Sequence, residues 1–252
     1  MGLEKTSSLD KDGVDAAREA EGEDLKESFE IGREGEGPGR ENMWPKEGVQ
    51  DDEGKDFDAV RWRKNMLEFH DVCKELHVQI MRALAVGLGI EEGWFDEYTD
   101  RGDNTLRLLH YPPQSREVFK RKKGQVRAGA HSDYGSCTLL FQDDRGGLEV
   151  QTADGSWRAV KPIEGAIVVN AGDLLARWSN DVVRSTIHRV VEPPSPADED
   201  VHPARYSIAY FCNPNFDKFI EAIPGTLKEG EKSKYEGVNS GEYLVQRLSA
   251  TY

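Results

Sequence analysis

Short runs of β-forming residues, separated by Gly, Asp and Pro, dominate the chain after about Thr105. The runs read TLRLLHY, SCTLLFQ, GLEVQ, GAIVVN, STIHRVV and RYSIAYF. Many short strands with turn residues between them are typical of antiparallel sandwiches and jelly rolls. This feature therefore predicts a mainly β core over residues 105–252, with an extension at its C-terminal end.

A helical pattern precedes that core. Apolar residues recur at steps of three and four at Met66, Phe69, Cys73, Leu76, Ile80 and Leu84. This spacing is the stripe of an amphipathic helix, and Gly87 and Gly89 supply its end. We expect a short second helix over residues 91–98. The segment 58–104 is thus predicted to be helical, so the fold class is α+β with one long helix before the core.

The first 57 residues differ from both parts. They carry 18 acidic and 8 basic residues, and their apolar residues are sparse and lack a period. Such a composition predicts an acidic N-terminal arm, either a charged extension or an irregular segment that wraps the body. The cluster around Phe29 and Ile31, and Trp44 further on, could pin parts of this arm to the core.

Composition restricts the partners and the compartment. The net charge is −14, which disfavours nucleic acid and anionic lipid as partners. The three cysteines, Cys73, Cys137 and Cys212, show no CxxC spacing, so we expect reduced and mostly buried thiols. The chain has no signal-peptide pattern and no apolar stretch near the roughly 20 residues of a membrane helix. We expect a cytoplasmic enzyme with no nucleic-acid partner and no membrane.

Three residues form a candidate metal site. His131 and Asp133 are separated by one residue, so on a strand both side chains point to the same face. His188 follows 55 residues after Asp133, in another predicted strand that a rolled sheet could bring alongside. Two His and one carboxylate are the ligands of non-haem iron(II) oxygenases. Taken alone, an H-x-D triplet is weak evidence, and a surface turn is its commoner interpretation.

A second feature makes the metal site more convincing. Arg205 and Ser207 share one face of the apolar run RYSIAYF, 17 residues after His188. An Arg inside such a strand is costly unless it meets an anion, and its planar donors together with a hydroxyl suit a carboxylate. A salt bridge to an internal Asp or Glu is the alternative. Beside the triad, the pair favours a dicarboxylate whose other end reaches a metal.

With these residues in place, the sequence resembles the iron(II)/2-oxoglutarate dioxygenases of the isopenicillin N synthase-like group. The resemblance runs from LRLLHYPP through HSDYGSCTLLFQD and VVNAGDLLARWSND to RSTIHRVVEPP and RYSIAYFCNPN. The terminal GEYLVQRLSATY is similar to the end of fungal-type members. The resemblance implies a double-stranded β-helix (jelly roll) with flanking helices, Fe(II) as cofactor, and 2-oxoglutarate and O2 as co-substrates.

The resemblance also implies roles for individual residues. His131, Asp133 and His188 would be the catalytic iron ligands. The distal carboxylate of 2-oxoglutarate would be bound by Arg205 and Ser207, with the Tyr111 hydroxyl nearby.

Two departures from the family pattern accompany these roles. Leu109 stands where family members often have Asn, and a Leu side chain cannot hydrogen-bond the co-substrate. The early strand and helix of the family's N-terminal module are not recognised before the acidic arm, so we expect a shortened variant.

The implied reaction is oxidation of a small organic molecule by hydroxylation, desaturation or cyclisation, with release of succinate and CO2. One alternative is a 2-oxoglutarate-independent iron oxidase on the same scaffold. Another is a non-catalytic metal or small-molecule binding protein. A zinc hydrolase is less favoured, because hydrolysis leaves the Arg205 and Ser207 pair unexplained. His70 and His77 share one helix face, but no carboxylate or third ligand accompanies them in a metal-like pattern, so we expect structural or solvent roles for them.

Overall fold

The computed structural model describes residues 24–35, 41–50, 53–121, 124–194, 200–227 and 230–251. In this part of the chain it has a mixed α+β fold, with several antiparallel sheets and a long helix before the core. The predicted fold class is therefore confirmed. No helix in these ranges is long and apolar enough to cross a lipid bilayer.

The larger sheet has five antiparallel strands in the order β1-β2-β11-β5-β8. Their bounds are β1 Glu27–Gly32, β2 Thr105–Tyr111, β5 Cys137–Gln142, β8 Val168–Ala171 and β11 Arg205–Cys212. The predicted runs TLRLLHY and RYSIAYF match β2 and β11 to within one residue. Both are rich in β-branched, aromatic and leucine side chains that alternate between the two faces of the sheet.

The smaller sheet has four antiparallel strands in the order β4-β9-β6-β7. Their bounds are β4 Ala128–His131, β6 Leu148–Gln151, β7 Trp157–Ala159 and β9 His188–Val190. Tyr111, Ala128, Leu148 and Val190 come from both sheets and form one buried apolar cluster. The two sheets therefore pack face to face, as the jelly roll requires.

The long helix, α1, spans Ala59–Gly87 and supports the larger sheet. The Asp58 side chain accepts a hydrogen bond from the backbone N–H of Arg61 and so caps the N-terminus. At the other end Gly89 adopts a φ of +74°, a conformation that glycine adopts readily. The apolar face of α1 contributes Cys73 to one core cluster and Met81 to another.

Shorter elements complete the described part. The helices are α2 Asp96–Thr99, α3 Arg116–Arg121, α4 Asp173–Trp178 and α5 Ser240–Thr251. Two small strand pairs join β3 Gln114–Ser115 to β10 Val201–His202, and β12 Phe219–Ile220 to β13 Val238–Asn239. The second helix was predicted over residues 91–98, but only Asp96–Thr99 is helical because tight turns occupy the residues before it.

Part of the predicted acidic arm is regular rather than irregular. Strand β1 pairs with β2 along its whole length at the edge of the larger sheet. Ile31 is buried and Phe29 packs beside it, which confirms that this cluster attaches the segment to the core. Charged side chains on the same strand meet partners on β2, with Glu30 paired to Arg107. Residues 1–23 of the arm lie outside the described residues, and the division of the chain at residues 57 and 104 stays a prediction.

Candidate active site

Strand pairing brings the two candidate histidines together. His131 is the last residue of β4 and His188 is the first residue of β9, and the two are direct partners across these antiparallel strands. Their ring centroids lie 4.3 Å apart. The register of the smaller sheet thus joins residues that are far apart in the sequence.

Asp133 reaches the same place from a loop. Strand β4 ends at His131, so the expectation that His131 and Asp133 share one face of a strand was wrong. Two hydrogen bonds orient the carboxylate instead: Thr138 Oγ1 and Asn170 Nδ2 both donate to Oδ2, at 2.6 and 2.8 Å. The other oxygen, Oδ1, lies 3.7 Å from His188 Nε2.

The two donors to Asp133 were not singled out in the sequence. Thr138 on β5 and Asn170 on β8 are direct partners in the larger sheet, which is why both reach one oxygen. Their only sequence signal is a polar residue beside the apolar runs LLF and IVV. That signal is common in strands and does not identify a role.

Each of the three side chains keeps one possible metal-ligand atom free of hydrogen bonds within the described part of the protein. His131 Nδ1 lies 2.7 Å from the Gly129 carbonyl oxygen, and His188 Nδ1 lies 3.1 Å from the Thr186 carbonyl oxygen. A carbonyl only accepts, so Nδ1 carries a proton in both rings, and Nε2 is the ring atom left to face a metal. Together with Asp133 Oδ1, these atoms form a group of ligands within 4.8 Å of one another that could hold a metal ion.

The charges of the cluster fit iron(II). Burial opposes ionisation of Asp133, but the histidines and the two hydrogen bonds hold the pKa of its carboxyl below the ordinary value. Desolvation by the surrounding protein lowers the pKa of His131 to about 4, and the neighbouring His188 acts in the same direction. One part of the His131 side chain is nevertheless exposed to solvent. A carboxylate beside two imidazoles is the set of donors that non-haem iron(II) sites use.

Arg205 forms a second buried polar site. The residue is 1% exposed, and no Asp or Glu forms a salt bridge with it in the described part of the chain. Its Nε donates to the Gly146 carbonyl at 3.0 Å and its Nη1 to Ser207 Oγ at 3.1 Å. Its Nη2 donates to Gln142 Oε1 at 3.4 Å. The alternative of an internal salt bridge therefore fails among these residues, and no described acidic group offsets the guanidinium charge.

Tyr111 and Leu109 flank this guanidinium on β2. The Arg205 guanidinium carbon lies 4.9 Å from the centroid of the buried Tyr111 ring, and the two residues are direct strand partners. Leu109 is the strand partner of Ser207. The structure thus brings Arg205, Ser207 and Tyr111 together, and it places an apolar side chain where the family often has an amide.

A further group of possible ligands lies in the core. His77, Cys137 and Cys212 approach one another, and all three are buried. His77 Nε2 is 3.1 Å from Ser136 Oγ, and burial lowers the pKa of His77 to about 3. The three cysteines are free, as predicted, and burial raises the pKa of the Cys73 thiol to about 11. Buried thiols behave as small apolar side chains, so packing accounts for these residues.

Comparison with known proteins identifies the family. The model of the 2OG-Fe(II) oxygenase superfamily matches residues 102–214. Proline hydroxylase buaE of Petromyces alliaceus is 38% identical over 233 residues, which are 91% of this chain and 69% of that protein. The dioxygenase frbA of a Dothideomycetidae species is 32% identical, over 100% of this chain and 73% of that protein. Across the curated relatives compared, the chain spans 54 to 73% of their length.

Solved structures give the same result. A full-length Neurospora crassa protein, solved in complex with alpha-KG, is 60% identical, with a TM-score of 0.84, over 92% of this chain and 67% of that one. The complex of that protein with alpha-KG and thymine gives 58% identity and a TM-score of 0.85, over 97% and 70% of the two chains. By sequence and by structure, the chain belongs to the 2OG-Fe(II) oxygenase superfamily, the non-haem dioxygenases that oxidise small molecules with iron(II) and 2-oxoglutarate.

Proposed function

We propose that this chain is an iron(II)- and 2-oxoglutarate-dependent dioxygenase in which His131, Asp133 and His188 hold the metal. One observation carries the proposal: hydrogen bonds occupy one atom of each side chain and leave the other atom free, and the free atoms face a common point. The outer hydrogen bonds fix the orientation of the ligands before the metal arrives, which favours binding.

The same proposal assigns the co-substrate to Arg205 and Ser207. A planar guanidinium with no acidic partner among the described residues, beside a hydroxyl, is suited to two parallel hydrogen bonds with the distal carboxylate. The Tyr111 ring packs against the guanidinium and its hydroxyl would point to the same end of the co-substrate. The 2-oxo end would then lie at the metal.

Bound iron(II) would supply the redox chemistry through which dioxygen reacts with 2-oxoglutarate and the substrate. In the overall reaction 2-oxoglutarate loses CO2 and becomes succinate, one oxygen atom enters the succinate, and the other enters a C–H bond of the substrate. The protein contributes position and environment: His131, Asp133 and His188 fix the geometry, and Arg205 orients the co-substrate. The apolar cluster of Tyr111, Ala128, Leu148 and Val190 lies beside that end and limits water there.

For the primary substrate we propose a pyrimidine base that carries a one-carbon group at C5. Support comes from the same Neurospora crassa protein, which is 55 to 60% identical in the full-length complexes compared and was solved with thymine and with 5-formyluracil. These two compounds share the uracil ring and differ in the oxidation level of the exocyclic carbon. That carbon is therefore the proposed site of oxidation. A neutral base also suits a chain with a net charge of −14 better than a nucleic acid does.

The test is succinate release by the iron-loaded protein with a panel of thymine, 5-formyluracil, uracil and L-proline. We expect release above the substrate-free rate with thymine and 5-formyluracil, and none with uracil, which lacks the exocyclic carbon. Asp133→Ala should abolish release, whereas Asp154→Ala, in an exposed turn, should leave it unchanged. Stimulation by L-proline alone would contradict the proposed substrate, although it would leave the reaction type intact.

The two alternatives raised by the sequence give different results in the same assay. A 2-oxoglutarate-independent oxidase would consume oxygen and substrate without succinate. A non-catalytic binding protein would bind metal and consume no oxygen. Substrate-dependent succinate release in equal amount to the hydroxylated product therefore separates our proposal from both.

A further inference from the structure

A second arginine is buried close to the proposed co-substrate pocket. Arg127 precedes β4 by one residue and His131 by four, and it is 0% exposed. Its Nη2 donates to the Pro203 carbonyl at 3.2 Å, whereas Nε and Nη1 have no hydrogen-bond partner in the described part of the chain. No Asp or Glu of the described ranges forms a salt bridge with Arg127. A buried guanidinium with two unused donors is costly and calls for a ligand.

Arg127 lies in the same region of the protein as Arg205. Pro203, which accepts the one hydrogen bond from the Arg127 side chain, is two residues before Arg205. Ala128, the neighbour of Arg127, packs in one cluster with Tyr111, whose ring lies against the Arg205 guanidinium. Arg127 also interacts electrostatically with both Arg205 and Tyr111, so the two buried cations lie near the same tyrosine.

The electrostatics point in the same direction. Burial and the positive charge of Arg205 both lower the pKa of Arg127. Like charges that share a desolvated region repel each other. Tyr111 and Asp143 offset part of this effect at Arg127, but no Asp or Glu among the described residues forms a salt bridge with either guanidinium. A bound anion between or beside them would offset the repulsion that remains.

We propose that Arg127 is a further binding residue of the 2-oxoglutarate pocket, which adds a second positive charge opposite the distal carboxylate. This inference rests on the proposed function, because it needs 2-oxoglutarate to bind at Arg205. It also gives Leu109 a counterpart: the hydrogen bond that an amide at that position could make is replaced by an unused N–H donor of Arg127. A purely structural Arg127 would need only its bond to Pro203.

The experiment compares two ligands that differ only at the distal end. Under anaerobic conditions, calorimetry on the iron(II)-loaded protein gives the Kd of 2-oxoglutarate and of 2-oxopentanoate, which has a methyl group in place of the distal carboxylate. The variants are Arg127→Gln, Arg127→Lys and Arg205→Gln. Arg177→Gln is the matched control, since Arg177 also donates through Nη2 to a backbone carbonyl and has a buried Nε without a partner among the described residues.

For Arg127→Gln we expect the Kd of 2-oxoglutarate to rise about tenfold or more, a loss typical of one charge-assisted contact. The Kd of 2-oxopentanoate should change by less than about twofold, and Arg127→Lys should recover part of the loss. An unchanged Kd of 2-oxoglutarate in folded Arg127→Gln, or an equal loss for both ligands, overturns the inference.

Two further results keep the test decisive. If Arg127→Gln does not fold, Arg127→Met is used, because it also removes the charge, and an unchanged preference for 2-oxoglutarate over 2-oxopentanoate in that variant then overturns the inference. If the wild type shows no preference for 2-oxoglutarate, or Arg205→Gln leaves it intact, the proposed function itself fails. If Arg205→Gln weakens 2-oxoglutarate binding and Arg127→Gln does not, the role of Arg127 is rejected and the proposed function stands.

Discussion

At the scale of single residues, the candidate site depends on hydrogen bonds that leave the ligand atoms free. The pattern His131-x-Asp133 and the position of His188 in a strand predicted which side chains meet only together with the Arg205 and Ser207 pair and the family resemblance. The sequence did not indicate how Asp133 is held, because the carboxylate lies beyond the end of β4 and its donors come from two other strands. Arg127 was missed for a related reason: the run QVRAGA carries no signal that its Arg is buried.

The Thr138 hydroxyl supports metal binding through Asp133. Thr138→Val removes the 2.6 Å hydrogen bond to Oδ2 and keeps the shape of the side chain. We expect iron(II) affinity to fall about tenfold to a hundredfold, as is usual when a partner of a ligand is removed. Anaerobic iron(II) titration measures this. Thr152→Val, in an exposed turn, is the control, and equal affinities in the two variants would contradict this role.

At the scale of secondary-structure elements, the pairing of β4 with β9 creates the site, since it makes His131 and His188 direct partners. Strands β2, β5 and β11 were predicted closely, because their runs are apolar and bounded by turn residues. Helix α4 was not predicted, since six residues are too few to show a helical period. The regular strand β1 was hidden by the acidic composition around it.

The packing of the turn before β6 against the end of β9 can be tested by substituting its glycine. Gly147 has a φ of +86°, and a Cβ there would lie 2.9 Å from the Val191 carbonyl oxygen beside β9. Gly155 has a φ of +83° and open space around it. Gly147→Ala should therefore cost more free energy of unfolding than Gly155→Ala, by about 1–3 kcal/mol. Urea unfolding of both variants measures the difference, and equal stabilities would show that the close contact relaxes without cost.

Helix α1 should contribute to stability through one face only. Met81 is 0% exposed in a core cluster, whereas Val72 on the same helix is 61% exposed. Met81→Ala should lower the free energy of unfolding by about 2–5 kcal/mol. Val72→Ala should change it by no more than about 0.5 kcal/mol. A similar loss in both variants, measured by urea unfolding, would mean that α1 does not pack against the core as described.

At the scale of the whole molecule, the most distinctive property of the sequence is its acidic net charge. The net charge of −14 excludes few folds, but it bears on partners, and the absence of nucleic acid and a cytoplasmic location stay predictions. The arrangement of the two sheets followed from the strand pattern and the family resemblance together. The pattern alone left a sandwich and a jelly roll open, because strand order depends on contacts that a single sequence does not display.

Acid should destabilise the protein through His77. Burial lowers its pKa from 6.5 to about 3, so the unfolded chain takes up the proton first as the pH falls. The stability that the neutral ring provides is complete above pH 6.5 and is lost progressively towards pH 3. At pH 5 the loss from this residue is about 2 kcal/mol. Urea unfolding at about pH 7.5 and about pH 5 should show a smaller acid loss in His77→Gln, and an equal loss would contradict this origin.

The proposed site as a whole is best tested by anaerobic titration of the iron(II)-loaded protein with 2-oxoglutarate, followed by visible absorption. A 2-oxo acid that chelates iron(II) gives a charge-transfer band in this region. We expect the band in the wild type, its absence in His131→Ala because the metal is lost, and a shift to higher 2-oxoglutarate concentrations in Arg205→Gln. A well-folded, iron-loaded protein without the band, or a wild-type titration in His131→Ala, would contradict the proposed site.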